Sequence, residues 1–283
     1  MQTFFAPAKL NLFLHVIGRR EDGYHRLQSA LTLIDRGDTI TLSVNTSGDI
    51  TRCNEVTGVT AEADLSVRAA RLLQSMSGTV HGCEIVVNKR TPMGAGLGGG
   101  SADAATVLLA LNRLWSLNWT TQQLQKLGAK LGADVPFFVF GESAFVEGIG
   151  EVLTAIDLPL WWYVVVTPPV HVPTPFVFQQ PELTRNTQPV KIADFSGNDF
   201  ASVHNDLQSV VLKAFPVVGA HFAALQRCAD QSLFGARMTG SGAGVFAAFV
   251  DEESAREALH RVQRNQPEIT GFIAKGLHRH PLV

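Results

Sequence analysis

The 283-residue sequence predicts an α+β protein built as two domains. Three observations carry that expectation. The first element, Ala6 to Val16, alternates apolar and polar side chains, the period of a strand with one face in a core. Five of the seven residues from Gly94 to Gly100 are glycine, and this run opens directly into an apolar helical stretch. The C-terminal segment reads strand (235–239), Gly-rich turn (240–244), strand (245–250), helix (252–264), strand (271–276), which suggests an antiparallel sheet with helices on one face.

On the first strand Ala6, Ala8, Leu10, Leu12, Leu14 and Val16 share one side, and Lys9, Asn11, Phe13 and His15 the other. Asp22-Gly23 is a turn signal, and a second alternating run, Thr39 to Val44, follows Asp35-Arg36-Gly37-Asp38. Residues 65–75 read as a helix and 84–88 as a strand. After the glycine run a helix is expected from Ser101 to Trp115, and Thr120 with Gln123 fits a capping box for another through Leu131. A hairpin over 144–154 turns at Gly148-Ile149-Gly150. The stretch 157–161 marks the expected boundary between a domain of residues 1–157 and one of residues 158–283. Beyond it come a strand at 162–167, a Pro-rich stretch from Pro168 to Pro181, and helices starting near Asn205-Asp206 and Pro216.

Composition removes several classes of function. With 46% apolar and 17% charged residues the chain is not disordered. A net charge of −2 argues against general attraction to nucleic acid, but leaves room for a local phosphate pocket. Cys53, Cys83 and Cys228 are odd in number and far apart, which excludes a disulfide framework and a cysteine zinc cluster. The longest apolar run, Leu158 to Val166, is under half of the roughly 20 residues that cross a bilayer. Lys9 and Asn11 interrupt the apolar N-terminus, so a signal peptide is not expected and a cytoplasmic location is.

The segment Pro92-Met93-Gly94-Ala95-Gly96-Leu97-Gly98-Gly99-Gly100-Ser101-Ala102 carries the first chemistry. Without Cβ atoms, main-chain amides approach an anion closely, and the orphan amides of the following helix face the same place. The alternative is a flexible or tightly packed loop. Gly94-x-Gly96-x-x-Gly99 is formally a dinucleotide fingerprint. However, Lys89-Arg90-Thr91-Pro92 separates it from the preceding strand, and no acid lies between Asp103 and Asp134 to bind a ribose. No Gly-Lys-Ser/Thr of an ordinary P-loop occurs, and Gly99-Gly100-Ser101-Ala102-Asp103 lacks the second glycine of a nucleophile elbow.

Three further features stand beside that loop. Lys9 lies on the polar side of the first strand, where a solvated charge is the plain alternative. Asp134 precedes the apolar run Val135 to Phe140, as a helix cap or as a desolvated functional carboxylate. A second glycine-rich turn, Met238 to Phe246, reads either as a tight hairpin or as part of a site.

Pro7-Ala8-Lys9-Leu10-Asn11-Leu12, the loop 92–103 and the turn 238–246 together resemble the GHMP kinases, in the right order and over essentially the whole chain. Asp22-Gly23-Tyr24-His25, Leu131 to Phe138 and Gly148-Ile149-Gly150-Glu151 are similar to one branch of that family. That branch acts on a cytidine-diphosphate-linked methylerythritol in the non-mevalonate isoprenoid route. The resemblance implies a two-domain kinase fold, with an N-terminal ribosomal-protein-S5-like domain and a C-terminal ferredoxin-like α/β sandwich. It also implies ATP and Mg2+, phosphorylation of an alcohol, no nucleic acid or membrane partner, and a monomer or weak homodimer.

By the same resemblance, residues Pro92 to Ala102 wrap the ATP phosphates and the Ser101 hydroxyl lies near the magnesium ion. Asp134 is the acid beside the acceptor hydroxyl, and Lys9 holds it ionised and neutralises the developing alkoxide. Asn11 serves an adjacent substrate group, about 6.5 Å along the strand from Lys9. Tyr24 and His25 are implied on the cytosine side, Thr174 among the substrate contacts, and Phe178 over the nucleobase.

Two segments depart from the family pattern. Asp64 stands where relatives commonly have Asn, so it is kept out of the nucleotide contacts, and Pro168 to Thr174 is looser than usual. His278-Arg279-His280 is expected to be solvated rather than metal-binding. The rival readings are another GHMP kinase, such as homoserine kinase, and a non-catalytic binding module of the same fold.

Overall fold

The computed structural model describes residues 1–192 and 200–283. Its centre is a ribbon of two long antiparallel strands, β1 (Gln2–Arg19) and β2 (His25–Asn45), paired from one end of β1 to the other. The pairing slips at Pro7/Ala8, Asn11/Phe13 and Val16/Gly18, and such bulges bend a strand and re-aim its side chains. The first slip takes up Asp35 and Arg36, so Asp35-Arg36-Gly37-Asp38 runs on within β2 as a bulge and the strand continues through it. The second takes up Leu12 and reverses the alternation beyond it. Residues 6–16 of β1 are buried on both sides, not half-exposed, because core clusters pack against both faces of the strand.

The remaining elements attach to this ribbon. On the N-terminal side lie β3 (Ile50–Arg52), α1 (Leu65–Ser77), β4 (Gly82–Asn88), α2 (Gly99–Leu114), α3 (Thr121–Gly128), α4 (Val135–Phe140), β5 (Ala144–Glu147) and β6 (Val152–Ala155). On the C-terminal side lie β7 (Trp162–Val166), α5 (Thr174–Gln179), α6 (Gln208–Ala214), α7 (Pro216–Cys228), β8 (Arg237–Met238), β9 (Val245–Phe249), α8 (Glu252–Asn265) and β10 (Gly271–Leu277). The capping box of Thr120 and Gln123 is formed, although α3 closes at Gly128 and not Leu131, and α2 begins within the glycine run, at Gly99.

The strand order β3-β4-β2-β10-β7-β9-β8 joins both halves in one sheet, with β1 and β5 added on β2 and β6 on β5. The joint is antiparallel pairing of Gly276 and Leu277 with Ile34 and Leu33. Three apolar clusters hold the layers. One packs Ile40, Leu42, Ile85 and Val87 against α1, α2 and α4. A second packs Val164, Val166, Val245, Ala247 and Phe249 under α7 and α8. The third sets Tyr163, Val165, Phe246 and Ala248, from the other face of the same strands, against Leu10, Leu12 and Phe13 of β1. Strands β7 and β9 are therefore buried on both faces, which is why their sequences are apolar without alternation. Among the described residues no single helix is long and apolar enough to cross a membrane.

Candidate active site

The glycine loop lies across β1, where the Lys9 amide donates to the Leu97 carbonyl at 3.0 Å. Gly94, Gly96 and Gly98 all take left-handed φ values, 73°, 69° and 72°. Ala95 and Leu97 between them do not share the positive φ, and such alternation turns successive amides toward one side, the geometry of an anion nest. Among the described residues none of the amides from Gly94 to Ser101 has a hydrogen-bond acceptor. The last of these belong to the first turn of α2, whose dipole adds positive potential. A cavity of about 360 Å³ opens beside the loop between Pro92, Met93, Ala95 and residues 167–171. A second cavity, of about 430 Å³, is lined by Ser143, residues 155–160 and residues 277–279 and lies away from this loop.

The second glycine turn braces the first. Ala243 N donates to Gly94 O and Gly244 N to Ala95 O, both at 3.1 Å. A Cβ on Gly96 would stand 2.4 Å from Thr239 O, and one on Gly244 2.4 Å from Ala95 O. Both runs are thus glycine-rich for mutual backbone contact as well as for the free amides. Thr239, within the glycine-rich motif 238–246, has a further role. Its Oγ1 accepts from Asn11 N at 2.9 Å, so the turn also fixes the polar stretch of β1.

At this junction the two charged candidates come together. Lys9 is buried, with its ammonium donating to Asn11 Oδ1 and standing 3.7 Å from Asp134 Oδ2. Lys9 is therefore not a solvated charge on a strand. Asn11 in turn donates to Ser29 Oγ at 2.9 Å. Asp134 occupies the N-cap position of α4 yet makes no side-chain cap bond. Its side chain is 43% exposed, so the desolvated carboxylate expected from the apolar run is corrected: the group faces open space beside Lys9. The Ser101 hydroxyl, in the first turn of α2, lies 3.7 Å from where a Cβ on Gly132 would stand, facing the segment that carries Asp134.

From this centre a line of contacts leads outward. Gly240 lies against Lys9 Nζ, which would be 3.5 Å from a Cβ there. Its neighbour Ser241 shares a 2.7 Å hydroxyl contact with Thr174, the first residue of α5. Phe178 is one helical turn further on and stacks on His25 with ring centroids 5.0 Å apart. Thr174, Phe178 and His25 are thus brought onto one path. Tyr24 is exposed beside it, with no ring partner among the described residues. Arg185 Nε donates to His25 Nε2 at 3.1 Å. Burial, then Arg185 and Arg19, lower the His25 pKa and so favour the neutral ring. No sequence signal pointed to Arg185.

A buried ionic group underlies the loop. Lys89 donates to Asp38 and, at 2.7 Å, to Asp103 of α2, while Asp38 also accepts from the Thr91 amide at 2.7 Å. One ammonium serves two buried carboxylates. Burial pushes the Asp103 carboxyl up to about 7 against the pull of Lys89. Asp64, the departure noted above, caps α1 through Ser66 N at 2.8 Å and pairs with Arg52 at 2.7 Å. Of the terminal histidines, His278 is exposed beside Arg279 as expected, whereas His280 is fully buried, which corrects the expectation for that residue. Among the described residues no three His, Cys, Asp or Glu side chains form a metal cluster.

The chain has known relatives. The sequence profile of the GHMP kinases N terminal domain matches residues 64–142, and that of the GHMP kinases C terminal domain matches residues 191–268. A 4-diphosphocytidyl-2-C-methyl-D-erythritol kinase of Thiobacillus denitrificans is 55% identical, covering 99% of this chain and 97% of its own length. One of Nitrosospira multiformis is 54% identical, covering 98% and 92%. A crystal structure of 4-(cytidine 5'-diphospho)-2C-methyl-D-erythritol kinase superposes with a TM-score of 0.83 at 32% identity, covering 97% of this chain and 99% of that one. A homoserine kinase of Cytophaga hutchinsonii shares the fold, with a TM-score of 0.67 at 17% identity over 98% of this chain and 95% of that one.

Proposed function

The chain belongs to the GHMP kinase family, and from that premise we propose that it transfers the γ-phosphoryl group of ATP to a hydroxyl of 4-diphosphocytidyl-2-C-methyl-D-erythritol, forming the 2-phosphate in the non-mevalonate route to isoprenoid precursors. The observation that carries the choice of acceptor is the path from the Lys9–Asp134 pair through Ser241 and Thr174 to the Phe178–His25 stack. A charged reacting end and an aromatic, hydrogen-bonding far end suit an alcohol joined through a diphosphate to a base. A small acceptor such as homoserine has nothing to place at the far end.

In this reading the free amides from Gly94 to Ser101 and the α2 dipole hold the triphosphate. Phosphoryl transfer needs positioning and charge neutralisation more than covalent chemistry. Asp134 orients the acceptor hydroxyl and takes its proton; Lys9 neutralises the alkoxide as it develops, held in place by Asn11. A magnesium ion fits a place with one hydroxyl, one open carboxylate and substrate phosphates, because this ion keeps several waters and few protein ligands. Ser101 would hold it, and it would supply further neutralisation of the phosphates. Residues 1–157 are assigned to ATP and catalysis and 158–283 to the acceptor, with the two profile matches falling one in each. We place the enzyme in the cytoplasm.

ATP turnover against a panel of alcohols tests the proposal. Phosphorylation of the cytidyl alcohol, with homoserine, mevalonate and galactose inert, is the expected result. Activity on one of those three instead moves the protein to another branch.

A further inference from the structure

Arg185 makes four hydrogen bonds. Nε donates to His25 Nε2 at 3.1 Å, the terminal nitrogens donate to Phe178 O and Leu183 O at 3.0 Å, and to Gln180 O at 2.7 Å. One guanidinium therefore grips the end of α5 that carries Phe178 and, at the same time, the imidazole stacked on Phe178. A guanidinium only donates, and it keeps its charge. His25 Nε2 must then be the acceptor, and the single proton of the neutral ring sits on Nδ1. Among the described residues Nδ1 has no partner, so that N–H is available to a ligand.

Resting on the cytidyl reading above, we propose that Arg185 is a positioning residue that fixes His25 as its Nδ1–H tautomer. The ring then donates to the N3 acceptor of cytosine and turns away uracil. Uracil carries a proton on N3, so donor would face donor, and two polar groups would lose their water without gaining a bond. The opposite tautomer, with a bare Nδ1, would accept from uracil N3–H and reverse the preference. Discrimination between bases is thus set by a residue that need not touch the base.

Two measurements decide. Nitrogen-15 correlation spectra of the wild-type imidazoles should show His25 protonated on Nδ1 and bare on Nε2, shifting toward Nε2–H in Arg185→Met. In parallel, CDP and UDP are titrated as competitors of the cytidyl alcohol. The wild type should favour CDP by at least about tenfold, Arg185→Met should bring the two within about threefold, and KM for ATP should not change. A wild-type His25 protonated on Nε2 overturns the proposal whether or not the variant folds, and so does an unchanged CDP preference in folded Arg185→Met. A wild type active on the cytidyl alcohol yet indifferent between CDP and UDP overturns this inference alone and leaves the proposed function standing. A wild type inactive on that alcohol removes the function and the inference with it.

Discussion

Lys9 and Asp134 form one pair in two different settings. Asp134 is open to solvent and caps nothing, so Asp134→Asn removes a charge without disturbing the core. The melting temperature should stay within about 2 °C of wild type, while kcat falls by a factor on the order of 100 or more, as for the loss of a positioned acid–base group. Lys9 is buried, and a Cβ on Gly98 would lie 3.2 Å from its Cγ, so its stem fills space under the loop. Lys9→Met keeps that stem and removes the ammonium. It should lower kcat by about 100- to 10,000-fold and change KM for ATP far less, because the ammonium acts on charge that develops during transfer. Steady-state kinetics with thermal melts check both variants, and a near-wild-type rate in either removes that residue from the chemistry. Neither residue is distinctive alone: a lysine on a strand and an aspartate before a helix have ordinary explanations. Their pairing was legible only through the resemblance, because it depends on where segments 125 residues apart meet. Arg185 had no motif around it at all.

The glycine loop separates two roles that a single composition conceals. Gly96 is left-handed, and a Cβ there would meet a backbone oxygen at 2.4 Å. Gly96→Ala should cost about 2–4 kcal/mol, from the left-handed strain plus a clash with a neighbour that cannot rotate away, and should part the loop from the turn at Thr239. Gly100 lies in the first turn of α2 with only an ordinary 3.5 Å contact to Leu65. Gly100→Ala should be neutral or stabilise by up to about 1 kcal/mol, since alanine is the better helix former. Urea unfolding of the two variants checks the contrast, and equal costs would mean that glycine is needed at both sites for the same reason. At this scale the sequence was readable wherever a local rule acts. The capping box, the 144–154 hairpin and helix α1 follow from residues near in the chain. The long strand β2 was not readable: Asp35-Arg36-Gly37-Asp38 has turn chemistry, but the partner strand absorbs it as a bulge. Helix α4 is likewise hidden, because an element apolar on every side has no period to detect.

The whole molecule is held by more than its continuous sheet, since the C-terminal tail returns to the N-terminal helices. His280 N donates to Gly141 O at 2.7 Å, just past α4, and Arg113 of α2 donates to Leu282 O. The His280 ring is buried between them. Its Nδ1 accepts from Leu282 N at 3.1 Å, so Nε2 carries the proton and donates to Thr106 Oγ1 at 3.1 Å, which donates to Ala102 O at 2.8 Å. Burial, and then Arg113, lower the His280 pKa from 6.5 to about 4. Between those values the unfolded chain binds a proton that the native protein refuses, so stability is full above pH 6.5 and falls as the pH drops toward 4. The loss over that window is about 3 kcal/mol, from 1.36 kcal/mol per pKa unit. His15, lowered to about 4 chiefly by burial, acts in the same direction, whereas Asp103, raised to about 7, acts in the opposite one. The wild-type curve therefore mixes three groups, and a difference isolates one of them. Wild type should exceed His280→Gln in stability by a margin that is constant above pH 6.5 and shrinks by up to about 3 kcal/mol on the way to pH 4. Urea unfolding of both proteins across that range gives the margin directly. A margin that does not change with pH would mean that His280 takes up its proton without leaving its place, and the tail would then not be the acid-sensitive link between the two halves.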